Sequence, residues 1–289
     1  MSIGAVSREL LVRCLDNWAP GGLHSAHGAT FLLASGSSVD QEAAEAAVRA
    51  LGEFADRLRG RRLSLLFVAP GVDGLEARLR AVLLEMQTPG DFGVHVVAGT
   101  AVDAVLKAVG AGSGPLFAMV DDSVSKNLTA KAADVLVTAR VGTWPDQRRE
   151  LHAHGFELTA GVELIDDAGE VLVAFGTRSG KALEAFKNEM WALDEYAGVR
   201  YRDPEDPEGH LMDISLEPNP GALRRELLDV LRGGPMTVTE LKRFALTDTV
   251  YRAADAQKVV TALLHAGAVT RTPESGRLGG DVVIRLSGG

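Results

Sequence analysis

The sequence predicts an α/β protein: a mostly parallel sheet with helices on both faces, closed by an antiparallel hairpin and followed by a small C-terminal unit. Three observations carry this reading. Short apolar, β-rich runs alternate with helical-period stretches over the first two thirds of the chain. The segment Asp166-Asp167-Ala168-Gly169 separates two long apolar runs as a tight turn would. The last stretch shows three helical patterns and then two short β-rich runs.

The elements follow in order. Residues 8–20 read as a short helix ending in Trp-x-Pro (Trp18, Pro20), and 30–34 as the first strand. Across 39–59, Ala43, Ala47, Leu51, Phe54 and Leu58 recur at helical spacing. A buried strand is expected at 63–69 and a helix at 72–86. The unit repeats as a strand at 94–98 and a helix at 102–109. Residues 116–120 and 135–139 are further apolar strands. A βαβα series of this kind builds a parallel sheet with right-handed crossovers. Strands at 156–165 and 170–176 flank the turn, and a helix over 179–191 follows. The closing hairpin points to a Rossmann-like class I methyltransferase sheet. A nicotinamide-binding fold is disfavoured, since Gly-x-Gly-x-x-Gly is absent.

Residues 202–220 hold Pro204, Pro207, Pro218 and Pro220 among many acids and read as a linker. The expected division is an α/β domain at 1–201 and a winged-helix domain at 221–289. In the tail, Leu223, Leu227, Leu228 and Leu231 mark one helix. Thr237 and Glu240 have capping-box spacing at the start of a second. Val259, Val260, Leu263 and Leu264 mark a third, with Gly267 just past its end. Strands at 268–272 and 282–286 complete a winged-helix outline.

Composition narrows the function classes. The chain has 289 residues, 46% of them hydrophobic, and a net charge of −9. Residues 221–289 are net +3 and residues 1–220 net −12. An acidic body is not expected to coat nucleic acid, whereas a mildly basic tail has the sign to touch it. The longest apolar runs fall far short of the about 20 residues a membrane span needs. Residues 1–13 lack a basic region followed by an apolar core, so no signal peptide and a cytoplasmic location are expected. A single cysteine, Cys14, forms neither an internal disulfide nor a Cys-based zinc site. It lies at helical spacing with Leu10 and Leu11, as a small buried residue would.

Several stretches resemble one family. Phe175-Gly176-Thr177 precedes Leu183-Glu184-Ala185-Phe186-Lys187-Asn188-Glu189-Met190-Trp191-Ala192-Leu193-Asp194, a small-residue strand end and then a helix with a Met-Trp-x-x-Asp ending. With the opening 8–20 and the tail stretch 237–268, including Thr249-Val250-Tyr251-Arg252, these residues resemble the three-Cys-motif partner (TcmP) family. That family comprises class I methyltransferase-like proteins with a C-terminal winged-helix segment. The resemblance implies a cofactor pocket for S-adenosylmethionine (SAM) at the carboxyl ends of the first strands, and a partner role. The sequence departs from the family at that pocket. Where the family has an acid after strand one, Leu33-Ala34-Ser35-Gly36-Ser37-Ser38 has Leu33. Where an acid ends strand two, Phe67-Val68-Ala69-Pro70-Gly71 has Ala69. Ala98-Gly99-Thr100 offers no carboxylate, and the family's Asp-Pro-Phe-Gly is reduced to Asp121-Asp122-Ser123-Val124. Each lost charge-assisted hydrogen bond forfeits roughly 1.5–3 kcal/mol.

The candidate sites follow from this. Ser35, Gly36, Ser37, Ala69 and Gly99 are the cofactor-binding candidates of a degenerate pocket, and Asp121 the catalytic one. Ser35 to Ser38 also suit an anion cradle, against the plain alternative of a strand-to-helix turn capped by Asp40 or Ser38. Asp121 and Asp122 suit a divalent ion, against capping of a helix over 123–131. His24 and His27 in a Gly-rich loop, and His152 and His154 at a helix end, lack ligand-spaced partners and read as solvated or capping residues. Lys187, Asn188 and Glu189 read as a solvated helix face. Lys242, Arg243, Arg252, Lys258, Arg271 and Arg277 are candidate phosphate contacts, opposed by Asp248 and Asp255 near the third helix.

Two main readings result. The first is a vestigial methyltransferase-like protein without cofactor, a partner or scaffold that binds another protein, or nucleic acid through its winged helix, and no membrane. The second is an active SAM-dependent methyltransferase with an unconventional pocket, acting on a nucleobase or amine. A metal-dependent nuclease built on Asp121 and Asp122 is held in reserve.

Overall fold

A computed structural model describes residues 2–25, 27–58, 60–111, 114–126, 134–193, 198–206, 208–212 and 221–287. They fall into two compact units, Met1–Asp213 and Ile214–Gly289.

The first unit is mixed α/β around a mostly parallel sheet. Strands β1 (Gly28–Ala34), β2 (Arg62–Ala69), β3 (Phe92–Ala98), β4 (Leu116–Asp121) and β5 (Asp134–Ala139) run parallel. Strands β6 (Leu158–Asp166) and β7 (Gly169–Thr177) form the hairpin, and β7 lies antiparallel against β5. With β8 (Arg200–Arg202) and β9 (Leu211–Met212), the order is β3-β2-β1-β4-β5-β7-β6-β8-β9. Asp166 makes the turn tight: its Oδ1 accepts from the amides of Ala168 and Gly169 at 2.8 and 2.9 Å.

Helices α1 (Ile3–Ser25), α2 (Gln41–Gly52), α3 (Leu75–Met86), α4 (Val102–Ala108), α5 (Asp122–Ser125), α6 (Trp144–Ala153) and α7 (Gly180–Ala192) cover the sheet. Period-two alternation along the strands sorts the side chains. Leu32, Leu66, Ala118, Val137 and Ala174 pack with Leu106, Val124, Trp144 and Leu151 on the α4–α6 face. Phe31, Phe67 and Phe117 point the other way, towards α1, α2, α3 and α7, and Trp18 of α1 joins them with its ring 5.8 Å from Phe117. Burial of each such ring stabilises by about 1.5–3 kcal/mol. Because both faces are covered, β1 and β2 read as continuous apolar runs rather than alternating ones.

The structure corrects three expectations. The opening helix does not end at Pro20; α1 continues to Ser25, so His24 is helical rather than in a loop. At Gly22 the missing side chain leaves room for the Trp18 ring one turn earlier in α1 and for Pro115, which a Cβ there would meet at 3.2 and 3.7 Å. The expected linker 202–220 begins as sheet, since Tyr201 and Arg202 pair with both β6 and β9. Polar contacts hold that segment. Arg202 Nε donates to the buried Glu163 at 2.5 Å, and Trp144 Nε1 donates to Glu205 at 2.9 Å. Pro207, Pro218 and Pro220 lie outside the described residues. Lys187, expected on a solvated face, is 1% exposed within α7. Asp194, which ends the family-like helix motif, lies outside the described residues, as do 127–131 of the helix expected after Asp122.

The second unit contains α8 (Gly221–Arg232), β10 (Met236–Thr237), α9 (Val238–Asp248), α10 (Ala253–His265), β11 (Val269–Thr272) and β12 (Val283–Leu286). The strands form an antiparallel sheet in the order β10-β12-β11. Leu223, Leu227, Leu241, Val260, Leu263 and Ile284 are buried. The capping box is formed: Thr237 Oγ1 accepts from the Glu240 amide at 3.1 Å, and the Glu240 carboxylate accepts from the Thr237 amide at 2.7 Å.

Candidate functional site

An open α/β sheet offers a ligand the crevice at the carboxyl ends of its strands, where the strand order reverses. Here that point lies between β1 and β4. The structure brings Ser35, Gly36, Ser37 and Asp121 together there.

Their geometry is that of a clasp. Asp121 Oδ2 accepts from Ser35 Oγ and from the Gly36 amide, both at 2.8 Å. Its Oδ1 accepts from Ser123 Oγ at 2.6 Å and from the amides of Ser123 and Val124 at 3.2 and 3.0 Å, capping α5. Partial burial would raise the Asp121 pKa, but the donors from Ser123, Ser35, Gly36 and Val124 outweigh it and hold the carboxyl below the usual aspartate value. Ser123 also fills the space above the turn. A Cβ on Gly36 would collide with Ser123 Oγ and lie 3.1 Å from its Cβ. The next turn is tied down too. The Gly71 amide donates to Ser37 O at 2.7 Å, the Val39 amide donates to Gly71 O at 3.2 Å, and Ser38 bridges to Gly71.

These bonds use the groups that a ligand would need. The Gly36 amide is taken by Asp121 and the Ser37 amide by Ser35 Oγ at 3.1 Å, which removes two donors of the expected anion cradle. Asp40 does cap α2, as the plain reading expected. Ala69 is fully buried at the end of β2, and the Gly99 amide donates to its carbonyl at 3.0 Å. Neither position presents a ribose acceptor. Among the described residues, no three His, Cys, Asp or Glu gather as a metal-binding group.

The basic candidates of the second unit divide. The Arg252 guanidinium forks onto Asp255, with both bonds at 2.8 Å, and Asp255 is 4% exposed. Arg271 donates to the carbonyls of Pro273, Gly276 and Arg277 at 2.9–3.2 Å and so holds its own loop. Lys242 reaches Gln257 at 3.5 Å, across from α9 to α10. Arg243, Lys258 and Arg277 are exposed.

Sequence reasoning missed a cleft at the opposite end of the strands. It has a volume of about 410 Å³ and opens between α1 and α7 at the amino ends of β4 and β5. Trp18, Phe117, Phe175 and Phe186 line it, with Cys14, Asp134, Lys181 and Glu189. Phe117, Asp134 and Thr177 stand in register across β4, β5 and β7. Asp134 is 8% exposed and takes a 2.5 Å hydrogen bond from Thr177 Oγ1. Burial raises its pKa against the lowering effects of that bond and of Arg178. Burial likewise raises the Cys14 thiol. The available signal was an acid opening an apolar strand, but its neighbours in the cleft lie far away in the chain.

No family model and no curated protein matches the chain. A solved structure described as a predicted O-methyltransferase from Agrobacterium tumefaciens is similar at 15% identity, over 59% of this chain and 81% of that one, with a TM-score of 0.32. Among the described residues, no helix is long and apolar enough to cross a membrane.

Proposed function

We propose that this protein is a methyltransferase-like scaffold whose donor site is closed, related to the three-Cys-motif partner family, and that it acts by binding another protein. The reading takes α8 to β12 as a winged helix used for docking. The observation that carries it is the Asp121 clasp. Five donors converge on one carboxylate at the switch point, and Ser123 occupies the space where the backbone turn would meet a methionine moiety. The residues at this point do not fit SAM. Ala69 offers no ribose acceptor, and opening the crevice means breaking charge-assisted bonds of roughly 1.5–3 kcal/mol each. A protein partner is favoured over nucleic acid because Arg252 and Arg271 are spent on internal contacts and residues 221–289 are only net +3. Calorimetry with SAM and S-adenosylhomocysteine tests the reading. No binding is expected at millimolar ligand. A Kd below about 100 μM, or about −5.5 kcal/mol, would sink it in favour of an active methyltransferase.

A further inference from the structure

We propose that the cleft at the amino ends of β4 and β5 binds an organic ammonium carried on an aromatic-sized apolar body, with Asp134 as its counter-ion. The inference is independent of the closed donor site, which lies at the other end of the same strands.

Three observations support it. The first is the placement of the charge. Asp134 stands mid-row on the sheet, beside Phe117 on one side and Thr177 on the other, under helices that cover the face. A carboxylate removed from water is costly unless a cation or several donors face it. Thr177 supplies one hydroxyl. Arg178 adds positive potential at Asp134 and the exposed Lys181 lines the cleft, but among the described residues neither forms an ion pair with the carboxylate. Arg178 lies over the Phe156 ring at 4.9 Å and donates to the His154 carbonyl. Arg13 bonds Glu9 and Glu189.

The second is the wall. Phe175 and Phe186 stack with ring centroids 4.5 Å apart, and Trp18 tilts against Phe117. Aromatic walls around a buried acid suit a cation twice over, through Coulomb attraction and through the ring quadrupoles. The third is size. A volume of about 410 Å³ lies within the range of small-molecule pockets, roughly 300–1,000 Å³. Ala182 and Ala185 of α7 leave that space open on the helix side. Glu189, already held by Arg13 and by Asn17 at 3.0 Å, adds negative potential without being consumed by the ligand.

The test uses the full chain with 2-phenylethylamine and its neutral counterpart 2-phenylethanol, read by calorimetry and by tryptophan fluorescence. The amine is expected to bind with a Kd of about 1 mM or tighter. The alcohol is expected to bind at least ten-fold more weakly. Asp134→Asn should abolish the preference while the thermal unfolding temperature shows a folded protein. Ala185→Leu fills the cleft without touching the acid and should remove binding of both compounds. Equal binding of amine and alcohol, no binding at about 10 mM, or an amine preference that survives Asp134→Asn overturns the proposal. Should Asp134→Asn fail to fold, the amine-to-alcohol ratio in the wild type and its loss in Ala185→Leu decide the question.

Discussion

Asp121 at the carboxyl end of β4 accepts from five donors, whereas Asp134 at the amino end of β5 accepts from a single side chain, Thr177, among the described residues. The first carboxylate is held below its ordinary pKa and the second above it. The same residue type thus does opposite things at the two ends of one sheet. At the end where α/β sheets ordinarily bind ligands, the acid stitches the β1 turn to the β4 turn and engages the Gly36 amide and the Ser35 and Ser123 hydroxyls. At the other end, the acid sits in a cleft with capacity to spare. The comparison shows why position in the fold does not by itself assign a site. What matters is how many of a group's bonding opportunities the protein has already used.

Removing Asp121 should give the largest effect. Asp121→Ala strands Ser35 Oγ and the amides of Gly36, Ser123 and Val124, and it deletes the cap of α5. A loss of about 2–3 kcal/mol is expected in urea unfolding, since water can replace part of what is lost at a half-buried group. The pH dependence has a fixed sign. The folded pKa lies below the unfolded one, so the stabilisation is full above about pH 4 and is lost as pH falls through the folded value. Wild type and Asp121→Ala should therefore converge in acid. A loss under about 0.5 kcal/mol at pH 7 would mean that the clasp does not hold the two turns together.

The packing of the clasp can be measured separately. Gly36→Ala places a methyl group against Ser123 and should cost about 1–2 kcal/mol. Ser123→Gly makes room for it, so the double variant should recover more than the sum of the singles allows. A coupling energy above about 0.5 kcal/mol is expected from the double-mutant cycle. Strict additivity would show that the turns relax apart and that Ser123 does not fill the crevice.

Most of the sheet was legible because burial on both faces leaves apolar runs that local pattern detects. The hairpin was legible because Asp166 and Gly169 carry turn chemistry in adjacent positions. The departures have a common cause. Pro20, Gly21 and Gly22 signal a helix end locally, yet α1 is held to Ser25 by packing against the sheet. Pro204 and its acidic neighbours signal a linker, yet Arg202 and Glu205 are fixed by partners dozens of residues away. Lys187 follows polar helix spacing but is buried by elements that no local window contains. At the candidate site, the absence of acids at Leu33 and Ala69 was visible in the sequence. The clasp itself was not, because Ser35 and Asp121 lie 86 positions apart. The cleft was invisible for the same reason: Asp134 meets Thr177, and shares the cleft with Trp18, through the fold alone.

Neutralising Asp134 should give the smallest effect and the opposite sign. Asp134→Asn keeps an acceptor for Thr177 Oγ1 and removes a charge that burial disfavours. Replacing a poorly compensated buried charge is commonly neutral or stabilising, and a gain of about 1 kcal/mol at pH 7 is expected. The sign follows from linkage. A carboxyl whose folded pKa is raised contributes its stability below the unfolded pKa and loses it as pH rises through the folded value. The gain in the variant should therefore vanish below about pH 4, where the wild-type acid is protonated in both states. Urea unfolding of both proteins at pH 7 and pH 3.5 measures it. A destabilised variant at pH 7 would mean that the carboxylate is well paired in the free protein and holds β5 to β7 as a structural bond. A stabilised variant would mean that the fold tolerates a cost at this position, which is what a group kept for a bound cation predicts.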